Sequence, residues 1–161
     1  MTSNHHVKPD SYISAVLLSI VLLSACAEAD FYNEYRPTGP GGWHRDSVMS
    51  FPVTISDSLN AHQFLVQLRH SGRYPFANLW LVADVVAPDG TVMYRDTVEL
   101  KLAGDRAEWL GEGSGQLLHL EQALPQQLVF STAGNYSVAF RHCMRDSVLK
   151  DVKDVGLRII Y

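Results

Sequence analysis

Residues Leu128–Arg145 read LVFSTAGNYSVAFRHCMR, and this stretch decides the fold. Ala133-Gly134-Asn135-Tyr136 has the composition of a turn. Beyond it Tyr136, Val138, Phe140, His142 and Met144 occupy alternate positions. A period of two places those side chains on one face of a strand and the intervening residues on the other. Gly134-x-Tyr136 at the entry to a late strand resembles the tyrosine corner of immunoglobulin-like sandwiches, in which the phenol hydrogen-bonds back to the preceding loop. Cys143 falls on the opposite parity from His142 and is expected to be a small buried strand residue.

Working outward, the same period recurs. Val48–Ser56 (VMSFPVTIS) sets Phe51, Val53 and Ile55 on one face. Pro52 lacks an N–H to give a ladder, which predicts an edge or an irregularity there. Gln63–Arg69 (QFLVQLR) alternates Phe64, Val66 and Leu68 inward against Gln67 and Arg69 outward. Leu79–Ala87 (LWLVADVVA) is apolar on both faces, as a central strand is. Pro88-Asp89-Gly90 joins it as a hairpin to Thr91–Leu100, whose inward set is Val92, Tyr94, Val98 and Leu100; Asp96 shares that register, so a bulge or a hydrogen-bonded exception is expected there. Gln116–Gln127 suits a strand or a short helix, ended by Pro125. Val155–Tyr161 (VGLRIIY) supplies the final strand. Short strands with regularly spaced turn signals predict an all-β fold, a single antiparallel β-sandwich of immunoglobulin-like or similar type.

The N-terminal part follows different rules. Ile13–Leu23 (ISAVLLSIVLL) is apolar but only 11 residues long, whereas a membrane-spanning helix needs roughly 20. That length fits the hydrophobic region of a signal peptide, preceded here by a weak basic region with Lys8 offset by Asp10. Leu23-Ser24-Ala25-Cys26 has the form of a lipobox, in which small residues let the peptidase grip extended chain and the thiol takes a diacylglycerol. The competing reading is an ordinary cleavage site with Cys26 incidental. With Cys26 lipidated, Cys143 has no intramolecular partner. Residues 27–42 (AEADFYNEYRPTGPGG) carry prolines and glycines without apolar periodicity, the composition of a flexible tether with an r.m.s. reach of about 20–25 Å. Glu28 and Asp30 form a light acidic patch, readable as an export signal or as solvated linker. Ala27, by the enterobacterial sorting rule, directs the protein outward to the outer membrane. The expected organisation is therefore signal peptide 1–25, lipidated cysteine and tether 26–42, and sandwich 43–161.

The net charge of −4 leaves no basic surplus to neutralise phosphates, which argues against nucleic acid. The glycine-rich Trp109–Gly115 lacks a P-loop lysine and the dinucleotide spacing, and reads as a strand connection. Gly113-Ser114-Gly115 is no nucleophile elbow. His119 and Glu121 are too few for a zinc site, and the other histidines are scattered without ligand spacing. No catalytic residue, metal, cofactor or small-molecule substrate is therefore expected. Trp43, Trp80 and Trp109 are read as core or core-edge residues, with a sugar- or protein-binding face as the alternative. The Arg69–Asn78 connection (RHSGRYPFAN) combines bases, an aromatic and a turn, so Arg69, Arg73 and Tyr74 are the candidate partner contacts. The alternative is that Tyr74, Pro75 and Phe76 plug the end of the sandwich.

An ordered set of motifs then carries a resemblance. Trp43-x-x-Asp46, Phe51, Leu68-Arg69-His70, Tyr74-Pro75-Phe76-Ala77-Asn78-Leu79 and Asp96-Thr97-Val98-Glu99 resemble the GldH family of gliding-motility lipoproteins of Bacteroidota. So do Trp109-Leu110-Gly111-x-Gly113, Gly134-x-Tyr136, Met144-Arg145 and Asp154-Val155-Gly156-Leu157-Arg158-Ile159. A Gly-Lys-like turn expected before Trp109 is replaced by Arg106-Ala107-Glu108. The resemblance implies a non-enzymatic envelope lipoprotein, held on a membrane by acyl chains, with a structural or assembly role in gliding and the linked type IX secretion machinery. Its partners would be other envelope proteins of that apparatus. A carbohydrate-binding lipoprotein for glycan capture is the other class of function the sequence admits.

Overall fold

The computed structural model describes residues 30–56, 60–113 and 116–161. Among these, all regular structure is β and every pairing is antiparallel. One sheet runs β1 (Tyr32–Pro37), β11 (Val152–Ile160), β4 (Ala61–His70), β7 (Leu118–Ala123), with β8 (Leu128–Val129) also on β4. The other runs β3 (Met49–Ile55), β9 (Gly134–His142), β5 (Asn78–Val86), β6 (Val92–Lys101). A small ribbon of β2 (Trp43–His44) and β10 (Val148–Leu149) lies across one end. The fold is a β-sandwich.

The core is the sum of the alternations. Phe51, Phe64, Val66, Leu68, Leu81, Val138, Phe140 and Leu157 are fully buried between the sheets. Tyr136 is buried, and its hydroxyl donates to the Thr132 carbonyl at 2.8 Å. Its ring meets Phe130 edge to face, with centroids 4.6 Å apart, so the tyrosine corner is present in detail. Pro52 sits on β3, at the edge of its sheet beside β9, and its ring is exposed. The Gln116–Gln127 ambiguity resolves as β7, which adds Leu118–Ala123 to the edge of β4.

Four expectations need correction. The tether contains β1, whose Tyr32–Pro37 pairs along β11 from Ile159 to Asp154. Sheet structure therefore begins well before residue 43. Cys143 is exposed, because it shares the outward parity of the exposed Arg141, opposite the buried His142. The irregularity of the β5–β6 hairpin falls where Val85 pairs with Tyr94 and Val86 with Val92, making Met93 the extra residue. Val92 and Asp96 are both exposed, because β6 is an edge strand whose face is only partly covered. Gln67 is buried on the outward face of its sheet, under the ring of Tyr35 and opposite Gly156.

Candidate interaction surfaces

The outward face of the five-stranded sheet carries a connected polar network. Gly156 starts it, since a Cβ there would lie 2.8 Å from the Tyr35 ring and 2.7 Å from Gln67 Oε1. Its missing side chain lets Tyr35 lie flat across β11. The Arg69 guanidinium stacks 3.8 Å above that ring, a cation–π contact. The Tyr35 hydroxyl meets His119 Nε2 at 2.5 Å, and burial pushes the phenol above its ordinary value. Beside them Gln67 donates to Glu121 Oε2 at 2.9 Å, and Arg158 bridges Glu121 at 2.9 Å and Asp30 at 2.5 Å. Asn33 also donates to Asp30, at 3.0 Å. Hydrogen bonding from Arg158 holds the Asp30 carboxyl below the usual carboxylate range. A shallow cavity of about 320 Å³ lies here, lined by Leu110, Glu112, His119, Leu120, Glu121 and Arg158. His119 and Glu121, the groups a proton transfer would call on, are each held by a neighbour.

The Arg69–Asn78 connection is organised by Ser71 and Asp151. Ser71 Oγ donates to Asp151 Oδ1 at 2.7 Å, and the Ser71 amide donates to the Asp151 carbonyl at 2.9 Å. The Ser71 hydroxyl and then Arg73 keep the Asp151 carboxyl below its ordinary value. Of the three expected contacts, only Arg73 stands in solvent. Its side chain is 84% exposed and lies 3.6 Å from Asp151. Tyr74 is buried between His70 and Phe76 and donates to the Asn78 carbonyl at 3.3 Å; burial raises its phenol. Tyr74 is packed into the core, whereas Pro75 is exposed and Phe76 half-buried. Arg69 is engaged with Tyr35 on the sheet face, so the three do not form one contact surface.

A more open surface lies on the neighbouring sheet. Trp80 points outward between the buried Leu79 and Leu81 and is 39% exposed. With Phe76, Cys143, Met144, Arg145 and Asp146 it lines a hollow of about 440 Å³. Backbone bonds hold that wall: the Trp80 amide donates to Met144 Sδ at 3.3 Å, and the Cys143 amide to the Trp80 carbonyl at 2.9 Å. The apolar run of β5 masked this residue in the sequence, although the 79/81 parity aims it outward. Trp43 is fully buried, and Trp109 packs edge to face on His70, centroids 4.8 Å apart. Both are core or core-edge residues.

The lipobox residues Leu23, Ser24, Ala25 and Cys26 lie outside the described residues. Among the described residues, no three His, Cys, Asp or Glu side chains are grouped to hold a metal ion.

Comparison with known proteins agrees with the motif set. The sequence model of a family described as GldH lipoprotein matches residues 30–159. The gliding motility lipoprotein GldH of Flavobacterium johnsoniae is 30% identical over 151 residues, covering 89% of this chain and 92% of that protein. The gliding motility lipoprotein GldH homolog of Christiangramia forsetii is 29% identical over 150 residues, covering 89% and 91%. Among solved structures, dimeric latent PorU from Porphyromonas gingivalis aligns at 10% identity with a TM-score of 0.33, over 85% of this chain and 13% of that one. That likeness is too slight to carry an argument.

Proposed function

The chain belongs to the GldH lipoprotein family, and from that premise we propose that it is a non-enzymatic, lipid-anchored envelope protein of the gliding and type IX secretion machinery. Residues 1–25 act as the signal peptide, and Cys26, behind Leu23-Ser24-Ala25, carries the acyl chains. One chain alone binds a membrane marginally; two or three, at about 0.8 kcal/mol per buried methylene, make a lasting anchor. Ala27 directs the anchored protein to the outer membrane. The sandwich performs a structural or assembly role by presenting a surface to other envelope proteins.

The observation that carries this reading is the family match across residues 30–159. Deleting the gene and assaying spreading and secretion of type IX cargo tests the cellular role. Loss of both is expected; normal spreading with normal secretion removes it. Replacing Cys26 with alanine should abolish lipid labelling and free the protein from membranes, whereas persistent labelling overturns the anchor.

A second reading, glycan capture, draws on the exposed Trp80 beside polar Arg145 and Asp146. Titration of the protein with envelope polysaccharides, following indole fluorescence, distinguishes it. Saturable quenching that vanishes in Trp80→Ala would favour this reading over assembly.

A further inference from the structure

The chain enters the fold at a fixed point. Asp30 is held by Arg158 at 2.5 Å and by Asn33 at 3.0 Å. Next to it the Phe31 amide donates to the Ile159 carbonyl at 2.9 Å. Cys26 stands only four positions before Asp30, a span of at most about 14 Å of extended chain. The long tether suggested by composition is thus cut short by β1. The strands of this sheet, up to 10 residues long, cover about 33 Å from end to end. An anchor of about 14 Å keeps the entry end low and rules out the inverted pose, in which the entry point would stand about 33 Å above the lipid surface; whether the body stands or lies on its side is then set by the chemistry of the entry end.

The end of the sandwich at the entry point has a distinct chemistry. Its described connections, residues 87–91 and 124–133, contain no lysine or arginine, and Asp89 is their one charged side chain. Phe31, His62, Phe130 and Tyr161 form a ring cluster here, with centroids 5.1 to 5.4 Å apart. Tyr161 is 53% exposed, and Val129, paired beside His62, is 57% exposed. Aromatic rings with one apolar side and one wet side suit the headgroup boundary of a bilayer.

We infer that this end, with Phe31, Tyr161 and Val129 foremost, is seated on the surface of the leaflet that holds the acyl chains, and that the opposite end faces away from it. The inference rests on lipidation of Cys26 as proposed above. With no basic residue in its described connections, the seat does not need anionic lipids; the short anchor supplies the proximity. Raised salt therefore leaves the orientation unchanged, because no Coulomb attraction is there to screen.

The chain supplies its own distal probe. Cys143 is exposed, lies at the opposite end of β9 from the entry point, and remains a thiol when Cys26 is lipidated. The lipidated full-length protein is reconstituted in vesicles bearing a nickel-chelating headgroup lipid. A nitroxide is attached at Cys143, or at position 129 in a Val129→Cys, Cys143→Ser chain. Relaxation by nickel should appear at 129 and be absent at 143. Inserting about twenty Gly/Ser residues between Ala29 and Asp30 should abolish the effect at 129, since a flexible segment of that length reaches about 25 Å. Equal relaxation at both positions, or relaxation at 143 alone, overturns the orientation while flotation with the vesicles shows the anchor intact. Failure to float overturns the anchor, and the inference falls with it.

Discussion

At the end where the chain enters, Phe31, His62, Phe130 and Tyr161 pack their rings edge to face or tilted, and the described connecting loops lack any base. At the other end Arg45, Arg73, Arg145, Lys150, Asp146 and Asp151 crowd around the short β2–β10 ribbon. The core between them is continuous, so the contrast is not one of stability. In the proposed orientation it separates the end seated on the leaflet from the end a partner could read. Charge at an interface adds selectivity and encounter rate, and here the exposed charge is concentrated at the end away from the anchor. Polar groups on the sheet face between the ends are held by neighbours there, Arg69 by Tyr35 and Glu121 by Gln67 and Arg158, and stand apart from this division.

The contrast can be broken most severely at the ribbon. Gly42 has φ +101°, and a Cβ there would overlap the Leu149 carbonyl and lie 2.5 Å from Lys150 Cα. Gly42→Ala should cost about 3 kcal/mol by forcing β2 away from β10. Urea titration checks this, with hydrogen exchange expected to rise at Trp43 and Leu149 well above Phe64. The entry end offers a milder test. Tyr136→Phe removes the bond to the Thr132 carbonyl, and a loss of about 1–2 kcal/mol in thermal unfolding is expected with the core packing kept. A drop near zero would mean that the corner does not pin this end.

Acid should then divide the two ends. His70 and His142 are both buried toward the charged end, and burial holds each imidazole below its ordinary value of 6.5. The unfolded chain therefore takes up protons first as the pH falls. Their stabilisation is complete above about 6.5 and is lost as the pH drops through the depressed folded values. Melting temperature should fall on acidification from 7.5 to about 5 by this linkage. His142 is buried with its ring edge to face on Trp43, so His142→Leu, which keeps the apolar packing, should cost little at neutral pH and flatten the acid response. An unchanged slope would remove His142 from the account. The smallest effect on stability is expected at Arg73→Glu. Its contact with Asp151 is exposed, so unfolding should shift by less than about 0.5 kcal/mol. Capture of membrane partners by the protein should weaken all the same; unchanged capture would take Arg73 out of the readable surface.

Much of the sandwich could be read directly from parity. Phe51, Val53, Ile55, Phe64, Val66, Leu68 and the β9 set all face where the period of two sends them, because each has strand neighbours on both flanks or a covering sheet. β1 escaped because Tyr32–Pro37 (YNEYRP) has half-buried tyrosines and charges where a strand normally shows aliphatics. Its partner lies some 120 residues away, and no local signal encodes such a pairing. Cys143 escaped because a cysteine is expected to be buried, although its parity, opposite the buried His142, already aims it outward. For the surfaces, exposure of Arg73 followed from composition alone, but Tyr74 did not: a tyrosine in a turn looks like a contact until the core beneath it has a shape. Arg69 was drawn away by Tyr35, a residue of the unrecognised strand.

β1 also orders the protein's biosynthesis. Among the described residues its one sheet neighbour is β11, so Tyr32 waits for Ile159 and Pro37 for Asp154. A chain emerging from the N-terminus must deliver nearly its whole length before that pairing can close, and contacts so distant in sequence form slowly. Until then the stretch that follows Cys26 has no ladder to join, and it stays available as extended chain to the enzymes that would modify and cut it. The last strand to emerge is the one that ends that interval.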